Sequence, residues 1–140
     1  MRREAVDYLM DIPCWFLATA ENGKPAKPHV RPFSFATIDD GRICFCTAVG
    51  KDVYDQLKEN PWFELSGWKP GYGWIVLAGR AVMDIAVSET TRKAGYEHMT
   101  ALGETYEGWD DTRLTFFTCE DARASFADID GSVRPITLEG

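Results

Sequence analysis

The sequence predicts a mainly β protein: a small antiparallel barrel with helices packed outside it. Three observations carry this. Short runs with strand spacing dominate the chain. Turn signals separate them at hairpin distances. Helical periodicity is confined to two or three segments. Six or seven strands are expected. No repeat, low-complexity segment or domain boundary interrupts the 140 residues, which read as one domain over 1–140.

Arg3 to Ile12 forms the first helix, with Ala5, Tyr8, Leu9 and Ile12 on one face, and Pro13 stops it. Cys14 to Ala20 is an apolar run suited to a buried strand. Asn22-Gly23 signals a tight hairpin, and the returning strand runs from about Ala26 to Ile38. Pro28 and Pro32 have no amide to donate, so this strand needs bulges or an exposed edge. Asp39-Asp40-Gly41 turns the chain into a third strand, Arg42 to Thr47.

Lys51 to Glu59 is an amphipathic helix with Val53, Tyr54 and Leu57 inward; Asn60 suits a left-handed cap before Pro61. Trp62 to Trp68 alternates as a strand does, Pro70-Gly71-Tyr72-Gly73 turns, and Trp74 to Asp84 is a long Val/Ile/Leu-rich strand. Ser88 caps a helix from about Glu89 to Leu102. A polar loop follows from Gly103 to Asp111. Leu114 to Cys119 and Ala122 to Ile129 are the last strands, and the tail from Gly131 to Gly140 reads as a partly ordered arm.

Composition narrows the function. A net charge of −7 and no basic stretch argue against nucleic-acid binding. No apolar run reaches membrane-span length, so no membrane is implied. Four cysteines, with a start that runs straight into helical pattern, suggest reduced thiols in a cytoplasm and no export segment. Aromatics at 13% fit a rich core or a ring-lined groove or interface equally well.

Chemistry concentrates between His29 and Lys51. Arg31 stands in an apolar run beside Pro32, where a buried cation without an anion is costly. Lys51 follows Thr47-Ala48-Val49-Gly50 at the head of a helix. Thr47 offers a hydroxyl, Gly50 permits close backbone approach, and the short loop offers backbone donors. Solvated surface cations are the plain alternative. The pattern suits one anionic group, most naturally a phosphate, gripped bidentately by Arg31 and by the point charge of Lys51. Asp52 opposes it at the same helix end. Cys44 and Cys46 share a strand face without zinc spacing and read as small buried hydrophobes, so no metal is expected. His98 reads as structural. His29, on the Arg31 face, is a rim histidine, a ligand contact or an acid. Trp68, Tyr72 and Trp74 cluster at one turn, as barrel-end plugs or as rings facing a planar ligand. No Ser-His-Asp order, nucleophile elbow or Walker loop is evident.

The ordered set Leu17-Ala18-Thr19, Pro28-His29-Val30-Arg31-Pro32-Phe33, Phe45-Cys46-Thr47, Lys51-Asp52-Val53-Tyr54-Asp55-Gln56-Leu57 and Asn60-Pro61 resembles the pyridoxamine 5′-phosphate oxidase-like FMN-binding split-barrel proteins. The resemblance covers Arg3 to Phe126. It implies a six-stranded antiparallel split β-barrel that forms a homodimer, with FMN in a groove between subunits. It assigns Arg31 and Lys51 to the FMN phosphate, and Pro32, Phe33 and Ser34 to the flavin and ribityl chain. Cys46 and Thr47 fall at the phosphate or ribityl, and Trp68 and Trp74 are candidate contacts from the partner subunit. The biosynthetic oxidase itself is longer, with a basic C-terminal segment; here Arg134 is the only cation in the last ten residues. The expectation is therefore a short, general member: an FMN-dependent oxidoreductase passing hydride between flavin and a small substrate. The alternatives are a non-catalytic flavin binder, or a barrel for the deazaflavin F420 or for haem with His29 or His98 as axial ligand.

Overall fold

The computed structural model describes residues 2–138. The chain runs α1 (Arg2–Met10), β1 (Trp15–Ala20), β2 (Pro28–Phe33), β3 (Ala36–Asp39), β4 (Arg42–Ala48), α2 (Asp52–Glu59), β5 (Trp62–Lys69), β6 (Gly73–Val82), α3 (Glu89–Ala101), β7 (Leu114–Ala127) and β8 (Val133–Ile136). All strand pairings are antiparallel, and the order across the sheet is β2-β1-β5-β6-β7-β4-β3, with β8 added to β7. The two end strands, β2 and β3, are consecutive in the chain. Only Ser34 and Phe35 separate them. The sheet therefore curls so that its edges meet at this crossover without pairing: a split barrel.

The strand expected over Ala26 to Ile38 is thus two strands with different partners. β2 pairs with β1 in the register Leu17↔Arg31, and β3 pairs with β4. Pro28 and Pro32 lie on β2, the edge strand, where a missing donor breaks no ladder. The preceding connection is longer than an Asn-Gly hairpin. It runs over residues 21–27, closed by Glu21 N–H donating to the Lys27 carbonyl at 3.0 Å.

Three further expectations are corrected. Asn60 is extended (φ −134°), not left-handed; its N–H still closes α2 by donating to the Gln56 carbonyl at 2.8 Å. The last two expected strands are one strand, β7, kinked where Asp121 takes φ 52° opposite a register shift between Ala78 and Arg80. The tail, expected as a partly ordered arm, carries a strand: residues 133–136 form β8, and Ile136 and Leu138 are buried, while residues 139–140 lie outside the described residues. This brings the strand count to eight among the described residues.

Alternation on β5 and β6 points Phe63, Leu65, Ile75 and Leu77 inward. Rings fill the barrel: Phe45 meets Phe117 at 5.1 Å, Trp15 at 5.7 Å and Phe63 at 5.9 Å between centroids. Each such pair adds about 0.5–1.5 kcal/mol beyond its buried area. A second cluster, Phe35, Cys44, Cys46, Met99, Leu114 and Phe116, lies under α3. Ser88 accepts a hydrogen bond from Thr91 N–H, as an N-cap should. Buried Asp39, at the end of β3, receives Ser88 N–H at 3.1 Å and the Thr91 hydroxyl at 2.8 Å. The start of α3 is thereby tied to the barrel edge, and its other end falls at the split.

Candidate functional site

A cavity of about 250 Å³ opens at the split. Five pieces of chain line it. Strand β2 and the crossover give Arg31, Pro32, Phe33, Ser34 and Phe35. The end of β4 gives Cys46 and Thr47, and the start of α2 gives Lys51 and Val53. Met99 and Leu102 come from the end of α3, and Glu104 from just beyond it. Arg31 and Lys51, twenty residues apart in sequence, therefore share one cavity. Larger surface hollows exist, notably one of about 570 Å³ beside Asp39, but Asp39 is already bonded to Ser88 and Thr91. The hollow at the split joins two cations, Arg31 and Lys51, to Thr47, whose hydroxyl has no partner among the described residues.

Arg31 is held by neutral acceptors. Its Nη1 donates to the Leu17 carbonyl at 3.2 Å and to Thr19 Oγ1 at 2.9 Å, and its Nη2 donates to Gln56 Oε1. Thr19 in turn donates to Gln56 Oε1 at 2.7 Å. No carboxylate pairs with Arg31 among the described residues. Burial lowers the pKa of this guanidinium from its usual value, against the opposing field of Asp52. The charge is thus oriented but not neutralised.

Thr47 lies on β4 and is 1% exposed, and its Oγ1 has no hydrogen-bond partner among the described residues. A buried hydroxyl left unpaired costs about 1–3 kcal/mol. Most buried polar groups avoid that cost, so this one calls for an acceptor or donor from outside the chain. Lys51 is the N-cap residue of α2, without a side-chain cap, and its ammonium pairs with Glu104.

The loop between Thr47 and Lys51 differs from the expected nest of free donors. Val49 N–H donates to the Arg113 carbonyl at 2.8 Å, and Lys51 N–H to the Ala48 carbonyl at 3.2 Å. Gly50 does not line the cavity; its φ of 98° supplies the left-handed turn that aims Lys51 back. Two of the loop's backbone donors are therefore already used within the chain.

Of the other residues singled out by sequence, Phe33 turns its ring into the core, 5.6 Å from Trp15 and 6.2 Å from Phe117. Burial pushes the Cys44 thiol up to about 12 and the Cys46 thiol higher still, so both stay protonated. Trp68 and Trp74 face each other across β5 and β6 on the outer surface and do not line the cavity. His29 Nε2 lies 2.6 Å from Glu21 Oε2, outside the cavity lining.

Sequence reasoning missed the contribution of α3. His98 packs its ring 5.5 Å from that of Phe35, and its Nε2 lies 2.7 Å from Ser34 Oγ, fixing a residue of the cavity wall. Burial lowers the His98 pKa, favouring the neutral ring. Glu104 and Leu102 had only one signal, the Gly103 that ends α3. Gly103 takes φ 89°, its N–H donates to Thr100 at 3.0 Å, and Glu104 N–H donates to Met99 at 3.1 Å. That Schellman closure fixes where Glu104 leaves the helix.

The sequence pattern of the family described as pyridoxamine 5′-phosphate oxidase matches residues 1–84, which carry β1, β2, the crossover, β4 and both cations. The chain belongs to the pyridoxamine 5′-phosphate oxidase family. None of the curated proteins matches it in sequence. Solved structures share its fold. A NimC/NimA family protein from Clostridium acetobutylicum has a TM-score of 0.79 at 22% identity, over 96% of this chain and 90% of that one. A pyridoxamine 5′-phosphate oxidase-related, FMN-binding protein from Nostoc punctiforme gives 0.60 at 12%, over 97% and 92%. A haem-binding protein from Mycobacterium smegmatis gives 0.68 at 14%, over 98% of this chain and 57% of that one. At such identities these likenesses establish the split-barrel fold shared by members of the pyridoxamine 5′-phosphate oxidase family.

Proposed function

We propose that this chain binds FMN and acts as an FMN-dependent oxidoreductase on a small substrate. One observation carries the reading: Thr47, whose buried hydroxyl has no partner among the described residues, lines the same cavity as the two cations Arg31 and Lys51. That donor set matches a phosphate monoester, whose oxygens accept several charge-assisted hydrogen bonds. The FMN-binding relative from Nostoc punctiforme supports the choice of ligand. A haem needs an axial ligand. Both histidines are engaged elsewhere, His29 by Glu21 and His98 by Ser34, which favours FMN over haem.

In this reading Arg31 grips the phosphate from an arm held by Leu17, Thr19 and Gln56. Thr47 donates its hydroxyl, and Lys51 supplies a point charge from the α2 start. Pro32, Phe33 and Ser34 present backbone and hydroxyl groups to the ribityl and ring. The Phe33 ring is committed to the core, so its share comes through the main chain. Cys46 is an apolar wall. Bound FMN supplies the two-electron chemistry; the protein binds, orients and shields it.

The cavity of about 250 Å³ falls below the ~300–1,000 Å³ usual for ligand pockets. A second wall is therefore needed for the ring, and a second copy of the chain is the natural source. Phe16, Val30, Trp62, Trp68 and Trp74 stand out from the sheet, each between 41% and 67% exposed. A solvated monomer rarely shows so many large apolar groups on one set of strands. We assign this face to a homodimer contact, with Trp68 and Trp74 in it. The four cysteines are all free thiols, which fits a reducing cytoplasm.

The test is spectroscopic. Purified protein should be yellow, with flavin absorption near about 450 nm. Arg31→Ala with Lys51→Ala should remain a folded dimer and lose the colour. Full retention of flavin in that variant overturns the assignment of both cations. Reduction by a nicotinamide donor with turnover on quinone or nitro acceptors supports the oxidoreductase. A flavin that is reduced but never turns over points to a binder on the same barrel.

A further inference from the structure

Glu104 lines the cavity and pairs directly with Lys51. Its carboxylate occupies the position from which an anionic ligand would meet that ammonium. Charged groups facing the site balance: Arg31 and Lys51 against Asp52, at the first turn of α2, and Glu104. Glu104 comes from a separate element, beyond α3, so nothing in the packing of α2 requires it there.

The backbone at Glu104 is fixed. The Schellman closure at Gly103 holds it on the helix side. Beyond it, Arg92 clamps the following loop to α3, donating to the carbonyls of Trp109 at 3.1 Å, Asp111 at 3.1 Å and Leu114 at 2.9 Å. Asp111 adds bonds from Glu107 N–H and Arg113 N–H, each 2.9 Å. The loop is braced, so the carboxylate leaves Lys51 by side-chain rotation alone. With its side chain 26% exposed, it has solvent to turn into.

We propose that Glu104 is a built-in counter-anion that competes with the ligand's phosphate for Lys51: a phosphate monoester must displace it and binds more weakly for doing so, whereas a ligand without the phosphate leaves the pair intact. The inference rests on the phosphate reading above and adds a residue that tempers affinity for the phosphate. Without ligand the carboxylate keeps the ammonium satisfied and aimed across the cavity. With ligand it is repelled, and affinity is reduced by the cost of breaking the pair. A ligand that lacks the phosphate leaves the pair in place, so its affinity does not depend on the Glu104 charge.

The test is equilibrium titration of flavin-free protein with FMN and with riboflavin, which lacks the phosphate, at fixed ionic strength. Glu104→Gln keeps shape and removes charge. Glu107→Gln removes the same charge from the same loop but outside the cavity lining. Thermal unfolding of each variant checks that it folds. Glu104→Gln should bind FMN about 1.5-fold to fivefold more tightly, as for loss of a competing ion pair, with riboflavin affinity unchanged. Glu107→Gln should match the parent. Unchanged FMN affinity in Glu104→Gln, with FMN still preferred over riboflavin, overturns the role of Glu104 alone. Equal tightening of riboflavin, or equal tightening in Glu107→Gln, also overturns it, by showing a steric plug or a long-range charge effect. Equal affinities for FMN and riboflavin in the parent protein overturn the phosphate site itself.

Discussion

Replacing Thr47 by Val should move stability and ligand affinity in opposite directions. Val matches Thr in shape and lacks only the hydroxyl. Thr47 is 1% exposed, and its hydroxyl is unpartnered among the described residues. Leaving it unpaired costs the flavin-free protein about 1–3 kcal/mol, so its removal should stabilise that state by about 1–2 kcal/mol. For a chain of 140 residues this raises Tm by roughly 2–8 °C. The strand position favours the change, because Val suits β4 at least as well as Thr. FMN should respond the other way. A hydrogen bond to a charged group contributes about 1.5–3 kcal/mol, so Kd for FMN should rise roughly tenfold to a hundredfold. Urea unfolding of flavin-free protein measures the first effect, and quenching of flavin fluorescence on titration the second. Thr47→Ser keeps the hydroxyl and should retain FMN affinity. A Thr47→Val protein that is less stable without flavin, yet binds FMN as before, would refute the argument that this hydroxyl waits for a ligand.

Other outcomes follow from the same geometry. At Gly95 of α3 a Cβ would lie 2.8 Å from the Phe116 ring and 3.2 Å from Cys46 Sγ. Gly95→Ala should therefore forfeit the ~1 kcal/mol helix gain and destabilise by about 0–2 kcal/mol in urea. A gain near 1 kcal/mol would show that α3 does not pack this closely. Gly73 has φ 99°, and a Cβ there would meet the Ala127 carbonyl oxygen at 1.9 Å; Gly73→Ala should cost more than about 3 kcal/mol, read from the urea midpoint. Burial holds the His98 pKa below its ordinary 6.5, so the unfolded chain takes up its proton first. That contribution is intact above pH 6.5 and is lost as pH falls from there through the folded-state pKa. His98→Gln should flatten this part of a stability-against-pH curve, and an unchanged slope would remove His98 as its source.

Much of the barrel was readable because local pattern and tertiary role agree. Alternation on β5 and β6, the Ser88 cap and the proline-marked edge strand all follow from residue chemistry at its own position. The crossover at Ser34-Phe35 was not readable. Extended spacing continues through it, and the event is a change of partner from β1 to β4, which no local period records. Asn60 tolerates left-handed backbone but does not require it, and Pro61 next to it disfavours helical backbone and holds it extended. The tail became a strand because β7 offered an open edge to residues 133–136. At the site, Arg31, Thr47 and Lys51 could be selected because a cation in an apolar run and a helix-head Lys are locally odd. Glu104 and His98 are ordinary on their own. Their significance comes from the direction in which α3 crosses the split, set at a distance by Asp39, Ser88 and Thr91.

The most direct measurement is a crystal structure of this protein grown with FMN. The account predicts the phosphate at the split, within about 3 Å of the Arg31 guanidinium, Thr47 Oγ1 and Lys51 Nζ, with the Glu104 carboxylate rotated away. A phosphate bound elsewhere, with Thr47 still unpartnered and Lys51 still on Glu104, would contradict it.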